Sequence, residues 1–270
     1  MQFVDRALAR RFESAEEVPQ VRYAELYRKL RPEIGADAKA IGTGHMTFAG
    51  VGSPIGRVTG AGFNSDIGAN ELDAIEDFYR SHQAPSQVDV CPLSDAPLLE
   101  MLKEREYKFT EFNNVLYRRL DPNEDFLVTP GIRRVSSDDA AVCSAVMERS
   151  FFPDGNVPKE FEGIFPPLFQ MEGAIVFLAE VEGRAAACGA GMMIPEHGII
   201  ALFGAGTLAE HRRRGQQTAL LQTRMAAGAA AGCEFAVIVT QGGTTSQRNA
   251  ERLGFRVAYS KATLLKEVCT

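Results

Sequence analysis

The sequence predicts an α/β fold of the α+β type, with two successive domains that each contain a mixed, mostly antiparallel sheet flanked by helices. The chain has 270 residues, which suits two domains of roughly 130 residues better than one. It is 45% hydrophobic and 24% charged, so each half can form a core. Two polar turn clusters, "DPNED" and "PG", separate the halves. We therefore predict domains at 1–130 and 131–270.

Charge and cysteine content exclude several classes of protein. The formal net charge is -6, from 35 acidic and 29 basic residues, whereas a nucleic-acid binder is usually basic. The N-terminus has no apolar signal segment, and no apolar run approaches the ~20 residues of a membrane span. We expect a cytoplasmic protein with neither nucleic acid nor membrane as partner. No CxxC pair occurs, which favours reduced thiols at Cys91, Cys143, Cys188, Cys233 and Cys269.

The C-terminal half begins with alternating short elements. "GIRRVS" predicts a strand, and "DDAAVCSAVMERSFF" predicts a helix with Ser137 or Asp138 as its N-cap. After a segment broken by Pro and Gly, "AIVFLAEVEGRAAACGAGMMIPEHGIIALFGAGTL" predicts three strands. Glu182-Gly183 and Glu196-His197-Gly198 mark the turns between them.

A helix and a buried strand follow this meander. The helix should run from Gly215 to about Ala230, because Leu220, Leu221, Met225 and Ala229 recur at helical spacing. The continuous apolar run "EFAVIVT" predicts a central strand, so the helix is a right-handed crossover between parallel strands. "TSQRNAERL" is a helix closed by Gly254, and "FRVAYSKATLLKEV" forms one or two final strands.

The N-terminal half repeats this order in outline. "SPIGRVTGAGF" predicts a strand, "ANELDAIEDFYRSHQ" a helix capped by Asn70, "QVDVCPL" a strand, "DAPLLEMLKERE" a helix and "YKFTEFNNVLYRRL" a hairpin-like end. Its last helix and strands correspond to those at the C-terminus, as in a diverged internal duplication. Chance similarity between α/β units remains the alternative.

The stretch "HRRRGQQTALL" predicts a binding site for an anion. A helix N-terminus has unpaired N–H groups and partial positive charge, and so attracts phosphates. Gly215 lets the backbone approach a ligand closely. Arg212, Arg213 and Arg214 add charge, and Thr218 offers a hydroxyl. Neither GxxxxGK[ST] nor GxGxxG follows a strand here, which excludes the Walker and Rossmann sites.

This stretch resembles motif A of the GNAT superfamily of N-acetyltransferases, Q/R-x-x-G-x-G/A between a strand and a helix. Residues 212–215 fit the motif, whereas Gln217 stands where the family has Gly or Ala. "SQRNAERLGF" resembles motif B with its LGF junction. The resemblance covers about residues 132–270 and implies tandem GNAT-like domains, with splayed central parallel strands in the second.

The resemblance implies that acetyl-CoA is the cosubstrate and that the acceptor is an amine of a small molecule or peptide. No spacing of His, Cys and carboxylate residues suggests a metal, so we expect none. One group of residues would bind the pyrophosphate and another the pantetheine arm, whose amides would pair with a splayed strand. The first group is Arg213, Arg214, Gly215, Gln216, Gln217 and Thr218, and the second is Ala205, Gly206 and Thr207, with Asn249 as a further contact.

The catalytic groups are less defined. The resemblance implies an oxyanion held by a backbone N–H near Thr207 or Leu208. Many family members protonate the leaving thiolate with a Tyr four residues before the LGF glycine, but Ala250 stands there. Tyr259 is the candidate replacement acid, although core packing is an alternative role, and Ser246 is a second candidate. No general base is assigned among Asp154, Glu160, Glu162 and Glu172.

The N-terminal half has no R-x-x-G-x-G/A motif. Asn64-Ser65-Asp66 would place an acid where a phosphate should bind, so we interpret 1–130 as a degenerate copy without cofactor. It could cover the acceptor cleft or provide the surface of a homodimer. A coenzyme-A-binding regulatory module without turnover is the alternative function, since Gln217 and Ala250 both depart from the family pattern.

Overall fold

The computed structural model describes residues 3–64, 66–127 and 129–268, and Ser65 and Cys269 lie outside them. The described chain divides into two units. Unit 1 comprises residues 1–115, 240–242 and 257–270, and unit 2 comprises 116–239 and 243–256. The division therefore differs from the predicted 1–130 and 131–270. Unit 1 includes the last strand because that strand pairs with a strand of the N-terminal half.

Unit 1 contains three helices and a mixed sheet. The strand order is β1-β2-β3-β4-β11-β5, antiparallel except for the parallel pair β3/β4 among the pairings described. β5 begins in unit 1 and ends in unit 2. The elements are α1 (Arg6–Leu30), β1 (Asp37–Ile41), β2 (Gly44–Phe48), β3 (Val58–Thr59), α2 (Ala69–Ser81), β4 (Ser86–Val90), α3 (Ala96–Glu104), β5 (Lys108–Arg119) and β11 (Arg256–Lys266).

Three sequence predictions in this unit were wrong in detail. The strand predicted over 53–63 is reduced to the two residues of β3, and the predicted hairpin over 107–120 is the single strand β5. Asn70 does not cap α2. The N-cap is Gly68, whose amide donates to Oε2 of Glu71 at 2.9 Å, so an acidic side chain already occupies this helix N-terminus.

Unit 2 contains the fold predicted from the C-terminal half. The strand order is β10-β9-β8-β7-β6, and all neighbours are antiparallel except β9/β10. The prediction of mixed, mostly antiparallel sheets flanked by helices is confirmed. The elements are β6 (Ile132–Val135), α4 (Ala140–Phe151), α5 (Phe165–Gln170), β7 (Ala174–Val181), β8 (Arg184–Ile194), β9 (Ile199–Thr207), α6 (Gln216–Ala230), β10 (Phe235–Gln241) and α7 (Thr245–Arg252).

Two apolar clusters hold the helices of unit 2 on its sheet. The first joins α6 to the strands through Leu220, Leu221, Met225 and Ala229, the four residues expected at helical spacing. The second packs α4 and α5 against the strands. The N-cap of α4 is Asp139 rather than Asp138, and the side chain of Ser137 lies outside the described part of the chain.

Candidate active site

A cleft of about 920 Å³ lies in unit 2 between the C-terminal ends of β9 and β10. Its walls come from β9, the turn that follows it, the first turns of α6, and α7. The lining residues are Ser150, Phe151, Ala205, Gly206, Thr207, Ala209, His211, Arg212, Arg213, Gly215, Gln216, Gln217, Thr218, Leu221, Arg224, Ile238, Thr245, Ser246, Arg248, Asn249 and Arg252. The structure thus brings together most of the residues singled out in the sequence.

The cleft exists because β9 and β10 stop pairing partway along. The last parallel pair is Leu202 with Ile238, and the ends of both strands run on unpaired with each other. The predicted splay of the central parallel strands is therefore confirmed. An unpaired strand edge has free backbone donors and acceptors that a ligand with amide groups can satisfy.

A β-bulge at Gly204 lies beside the point of splaying. Cys188 pairs with Gly206 and Ala190 with Phe203, so two residues of β9 oppose one of β8. Gly204 takes φ +54, a left-handed conformation that favours glycine. At Gly206 glycine is required by close packing rather than by its backbone conformation, since a Cβ there would lie 2.9 Å from Oγ of Ser150.

The N-terminus of α6 forms one wall of the cleft. Its N-cap is Gly215, with φ +82, and no side chain caps the helix. The first N–H groups of a helix have no intrahelical partners, and here they border the cleft. A Cβ added to Gly215 would meet no atom within 4 Å, so the space beside this backbone is open.

The three consecutive arginines have different positions. Arg212 belongs to the framework, because its guanidinium donates to the carbonyl oxygens of Ser150 at 2.7 Å and Thr207 at 3.3 Å. Arg213 lines the cleft and has φ +60. Arg214 is exposed and does not belong to the lining, which leaves its predicted contact with the pyrophosphate without support.

The cleft is strongly cationic. Arg248 and Arg252 of α7 line the cleft, as do Arg212 and Arg213 before α6. Among the lining residues that the structure describes there is no Asp or Glu, and no described residue pairs with the side chains of Arg213, Arg248 or Arg252. The site therefore suits a ligand with several negative charges.

The part of the cleft formed by Leu221, Arg224 and Ile238, which we call the inner end, contains a buried arginine. Arg224 is 1% exposed, and its Nη2 atom has no hydrogen-bond partner in the described part of the chain. Burial lowers its pKa to about 10. Thr207 Oγ1 and His211 Nδ1 are also buried and unpaired. Such atoms are rare in folded proteins unless a ligand or water satisfies them.

Tyr259 does not take part in this site, which corrects its assignment as general acid. It belongs to unit 1, is 7% exposed and does not line the cleft. Its hydroxyl donates to Oε1 of Glu13 at 2.6 Å, and burial raises its pKa well above the usual value. Lys261 lies beside the same carboxylate, with Nζ 3.7 Å from Oε2 of Glu13 and 3.1 Å from Oδ2 of Asp89.

The structure also bears on the expected oxyanion donor and on the position where many family members have a tyrosine. The N–H of Leu208 already donates to the carbonyl oxygen of Ala186 at 2.9 Å, so it is not a free oxyanion donor. Ala250 is fully buried in the core, where a larger side chain would not fit without repacking. The uncharged polar residues of α7 that line the cleft are Thr245, Ser246 and Asn249.

Sequence reasoning missed Arg224, Arg248 and Arg252. Arg224 is four residues after Leu220 on the apolar face of α6, so a charge at a core position was the signal that could have identified it. No general base was assigned from the sequence among four acidic residues, and all four are exposed and lie outside the lining of the cleft: Asp154, Glu160, Glu162 and Glu172.

The described residues form no group of three or more His, Cys, Asp or Glu placed to hold a metal ion. Cys91, Cys143, Cys188 and Cys233 are buried free thiols. No described helix is both long enough and apolar enough to span a membrane.

Comparison with known proteins agrees with this geometry. Residues 144–255 match the model of the acetyltransferase (GNAT) family. No curated protein matches the sequence. In fold, the chain is similar to a GCN5-related N-acetyltransferase from Kribbella flavida, with 16% identity, a TM-score of 0.61, and coverage of 91% of this chain and 96% of that one.

Two further solved structures have the same fold. A tandem GNAT protein from the clavulanic acid biosynthesis pathway is 12% identical, with a TM-score of 0.56 and coverage of 84% of this chain and 78% of that one. A GCN5-related N-acetyltransferase from Sphaerobacter thermophilus is 18% identical, with a TM-score of 0.51 and coverage of 73% and 65%. The splayed strands, the uncapped helix after the arginine-glycine turn and the sequence match lead to one conclusion: residues 144–255 form a domain of the acetyltransferase (GNAT) family.

Proposed function

We propose that the chain is an N-acetyltransferase that uses acetyl-CoA to acetylate an amine of a small molecule or peptide. The observation that carries the proposal is the cationic cleft between β9 and β10, bordered by the uncapped N-terminus of α6. Family membership supports acetyl transfer in general.

Acetyl-CoA fits this cleft by its chemistry. Its pyrophosphate needs N–H donors and positive charge, and the first turn of α6 with Arg213 offers both. Gly215 leaves open the space that a side chain would fill. In this assignment Gln216, Gln217 and Thr218 bind the pyrophosphate through their backbone, and Arg248 and Arg252 face the remaining phosphate charge.

The end of β9 supplies the partner for the amide groups of the cosubstrate. Ala205, Gly206 and Thr207 lie beyond the last pair with β10, so the β10-facing edge of this segment is open, while Gly206 and Thr207 remain paired with β8 on the other side. Asn249 lies on the opposite wall and can contact the same arm.

Bound acetyl-CoA supplies an activated thioester that a neutral amine can attack directly in a ternary complex. The protein's tasks are to orient the two reactants and to return a proton to the leaving sulfur. Thr245 and Ser246 are the hydroxyl-bearing residues of α7 that line the cleft, and we assign the proton delivery to Ser246 or to solvent.

A coenzyme-A-binding module without turnover is the second candidate. It is favoured by one observation: among the lining residues described, none is a tyrosine or a carboxylate. The two candidates predict different products. An enzyme releases free thiol from acetyl-CoA in the presence of an amine panel, at a rate that depends on the amine. A regulatory module binds acetyl-CoA, detected by calorimetry, but releases thiol no faster than buffer does.

A further inference from the structure

The inner end of the cleft contains a buried positive charge without a counter-ion. Three N–H groups of Arg224 donate to backbone carbonyl oxygens. Nε bonds Leu220 O at 3.0 Å, and Nη1 bonds Ala190 O at 2.8 Å and Phe203 O at 3.3 Å. The bonds to Ala190 and Phe203 satisfy carbonyls that flank the bulge, and among the described residues neither hydrogen of Nη2 finds an acceptor.

Carbonyl dipoles do not neutralise this charge. Within the described ranges, no Asp or Glu oxygen lies within ion-pair distance of Arg224, and no acid lines the cleft. Burial is the first cause of the lowered pKa of Arg224; the neighbouring Cys188 raises that pKa, and no described carboxylate contributes to it. Buried charges in folded proteins are normally paired, so the missing partner has to come from outside the chain.

The fold makes room for Arg224. A Cβ at Gly189 would lie 2.8 Å from Cζ of Arg224, so any other residue there would displace the guanidinium. Arg224 also lies apart from the predicted pyrophosphate contacts. Its Cα follows that of Gly215 by nine residues of α6, about 14 Å at the rise of an α-helix, and its guanidinium reaches back one turn, to the carbonyl oxygen of Leu220. The coenzyme's phosphates are therefore a poor match for its partner.

We propose that the inner end of the cleft binds a carboxylate, which Arg224 receives through Nη2. The proposal rests on the proposed function and names its substrate class more closely. The carboxylate has two sources. It belongs either to a dicarboxylic acyl group on coenzyme A or to an acceptor that bears both an amine and a carboxylate. An acyl group ending in methyl would leave the charge of Arg224 uncompensated.

The first arm of the test compares the affinity of the full-length chain for succinyl-CoA and acetyl-CoA by titration calorimetry. If the acyl group is the source, succinyl-CoA binds about ten- to hundredfold tighter, the usual effect of a hydrogen bond to a charged group. In Arg224→Gln the ratio of the two affinities falls to about one. Arg252→Gln is the matched control: it removes a cleft arginine from α7 and should weaken both ligands equally.

The second arm compares glycine, alanine and glutamate with their α-amides as acceptors, with acetyl-CoA as donor. If the acceptor is the source, kcat/KM is at least about tenfold higher for the acids than for the amides. Arg224→Gln removes that preference by raising KM for the acids.

The proposal is overturned if the unmodified protein binds both thioesters within about twofold and uses acids and amides equally. Because that comparison needs no variant, it holds even if Arg224→Gln fails to fold. Gly189→Ala offers a second perturbation that keeps the charge but displaces the guanidinium, and it should reduce whichever preference is found. Failure of the proposed function is distinguishable, because no amine would then release thiol from acetyl-CoA, whereas the calorimetric comparison of the two thioesters does not depend on turnover.

Discussion

Replacement of Gly215 by glutamate tests the anion-binding role of α6 most sharply. The added side chain points into open space, since a Cβ there meets no atom within 4 Å, and its carboxylate would stand where we place the pyrophosphate. The left-handed backbone, φ +82, costs a side chain about 1–2 kcal/mol of stability. A negative charge at a helix N-terminus offsets about 0.3–1 kcal/mol of this cost. The variant should therefore fold.

The expected loss of affinity follows from Coulomb's law. Two like charges ~8 Å apart repel by about 2 kcal/mol at an effective dielectric constant near 20. Because a pyrophosphate carries two charges, the loss is about 2–4 kcal/mol, or roughly 30- to 1,000-fold in the dissociation constant. Salt should reduce the effect, since Gly215 is exposed.

Gly232→Glu is the matched control. Gly232 follows the other end of α6, has φ +81 and also has open space beside it, but it does not line the cleft. The two variants thus share the backbone cost and the charge change. Titration calorimetry with coenzyme A should show the large loss for Gly215→Glu alone. A folded Gly215→Glu variant whose affinity changes less than threefold would refute the assignment of the pyrophosphate to this turn.

Three other predictions concern unit 1 and the number of sites. Tyr259→Phe should lower the free energy of unfolding by about 1–3 kcal/mol, because it leaves buried Glu13 without its donor. It should leave kcat within threefold of the unmodified protein, and a loss above tenfold would restore Tyr259 as the acid. Lys261→Met should cost about 3–5 kcal/mol in urea denaturation at pH 7, since it leaves buried Glu13 without a cation and leaves Asp89 with Arg57 alone. Burial alone would lower the pKa of Lys261, but Glu13, Glu16 and Asp89 raise it well above 10.5. The stabilisation by Lys261 is therefore complete below pH 10.5 and lost as the pH rises through the folded-state pKa, so the difference between the two proteins should shrink only above that value. Finally, calorimetry should give one coenzyme A per chain, because the first turn of α2 already has an acidic cap. A stoichiometry near two would show that unit 1 also binds the cofactor.

The sequence predicted best the elements whose partners are near in the chain. β7, β8 and β9 form a meander with clear turn residues, and α6 has regular apolar spacing, so local pattern was enough. β11 was predicted as a strand of the C-terminal half. Its pairing with β4 is a contact between residues about 175 positions apart, which no local pattern records.

The N-terminal helix, α1, shows a second reason why an element can escape prediction from sequence. α1 spans 25 residues, yet no element was predicted before residue 53. Part of its buried face is polar, since Glu13, Ser14 and Glu17 are buried alongside its apolar residues, and the helix continues through Pro19, a residue that sequence rules place outside helix interiors. These polar groups have partners in unit 1; Oε2 of Glu17, for example, accepts a hydrogen bond from Arg10 of the same helix, and Oε1 of Glu17 lies 2.8 Å from Nδ1 of His45 in β2. A pattern search based on apolar periodicity cannot anticipate a buried face of this kind.

The candidate site shows the same division between features set by local sequence and features set by tertiary contacts. The arginine-glycine turn identified the wall of the cleft formed by the N-terminus of α6, because the anion-binding property of helix N-termini is a local rule. The same reasoning gave the three arginines equal roles, whereas Arg212 bonds to the backbone of Ser150 and Thr207. Arg224 escaped notice because its role depends on Gly189 and on the bulge in β9, which only the folded sheet brings together.

Hydrogen–deuterium exchange of the full-length chain with and without acetyl-CoA tests the central claim most directly. The account predicts slower exchange on addition of acetyl-CoA at the amides of residues 205–207 and 215–218, with little change at the N-terminus of α2. The same ligand should give no protection at residues 215–218 in Gly215→Glu. Protection confined to unit 1, or none at residues 215–218 in the unmodified protein at saturating acetyl-CoA, would contradict it.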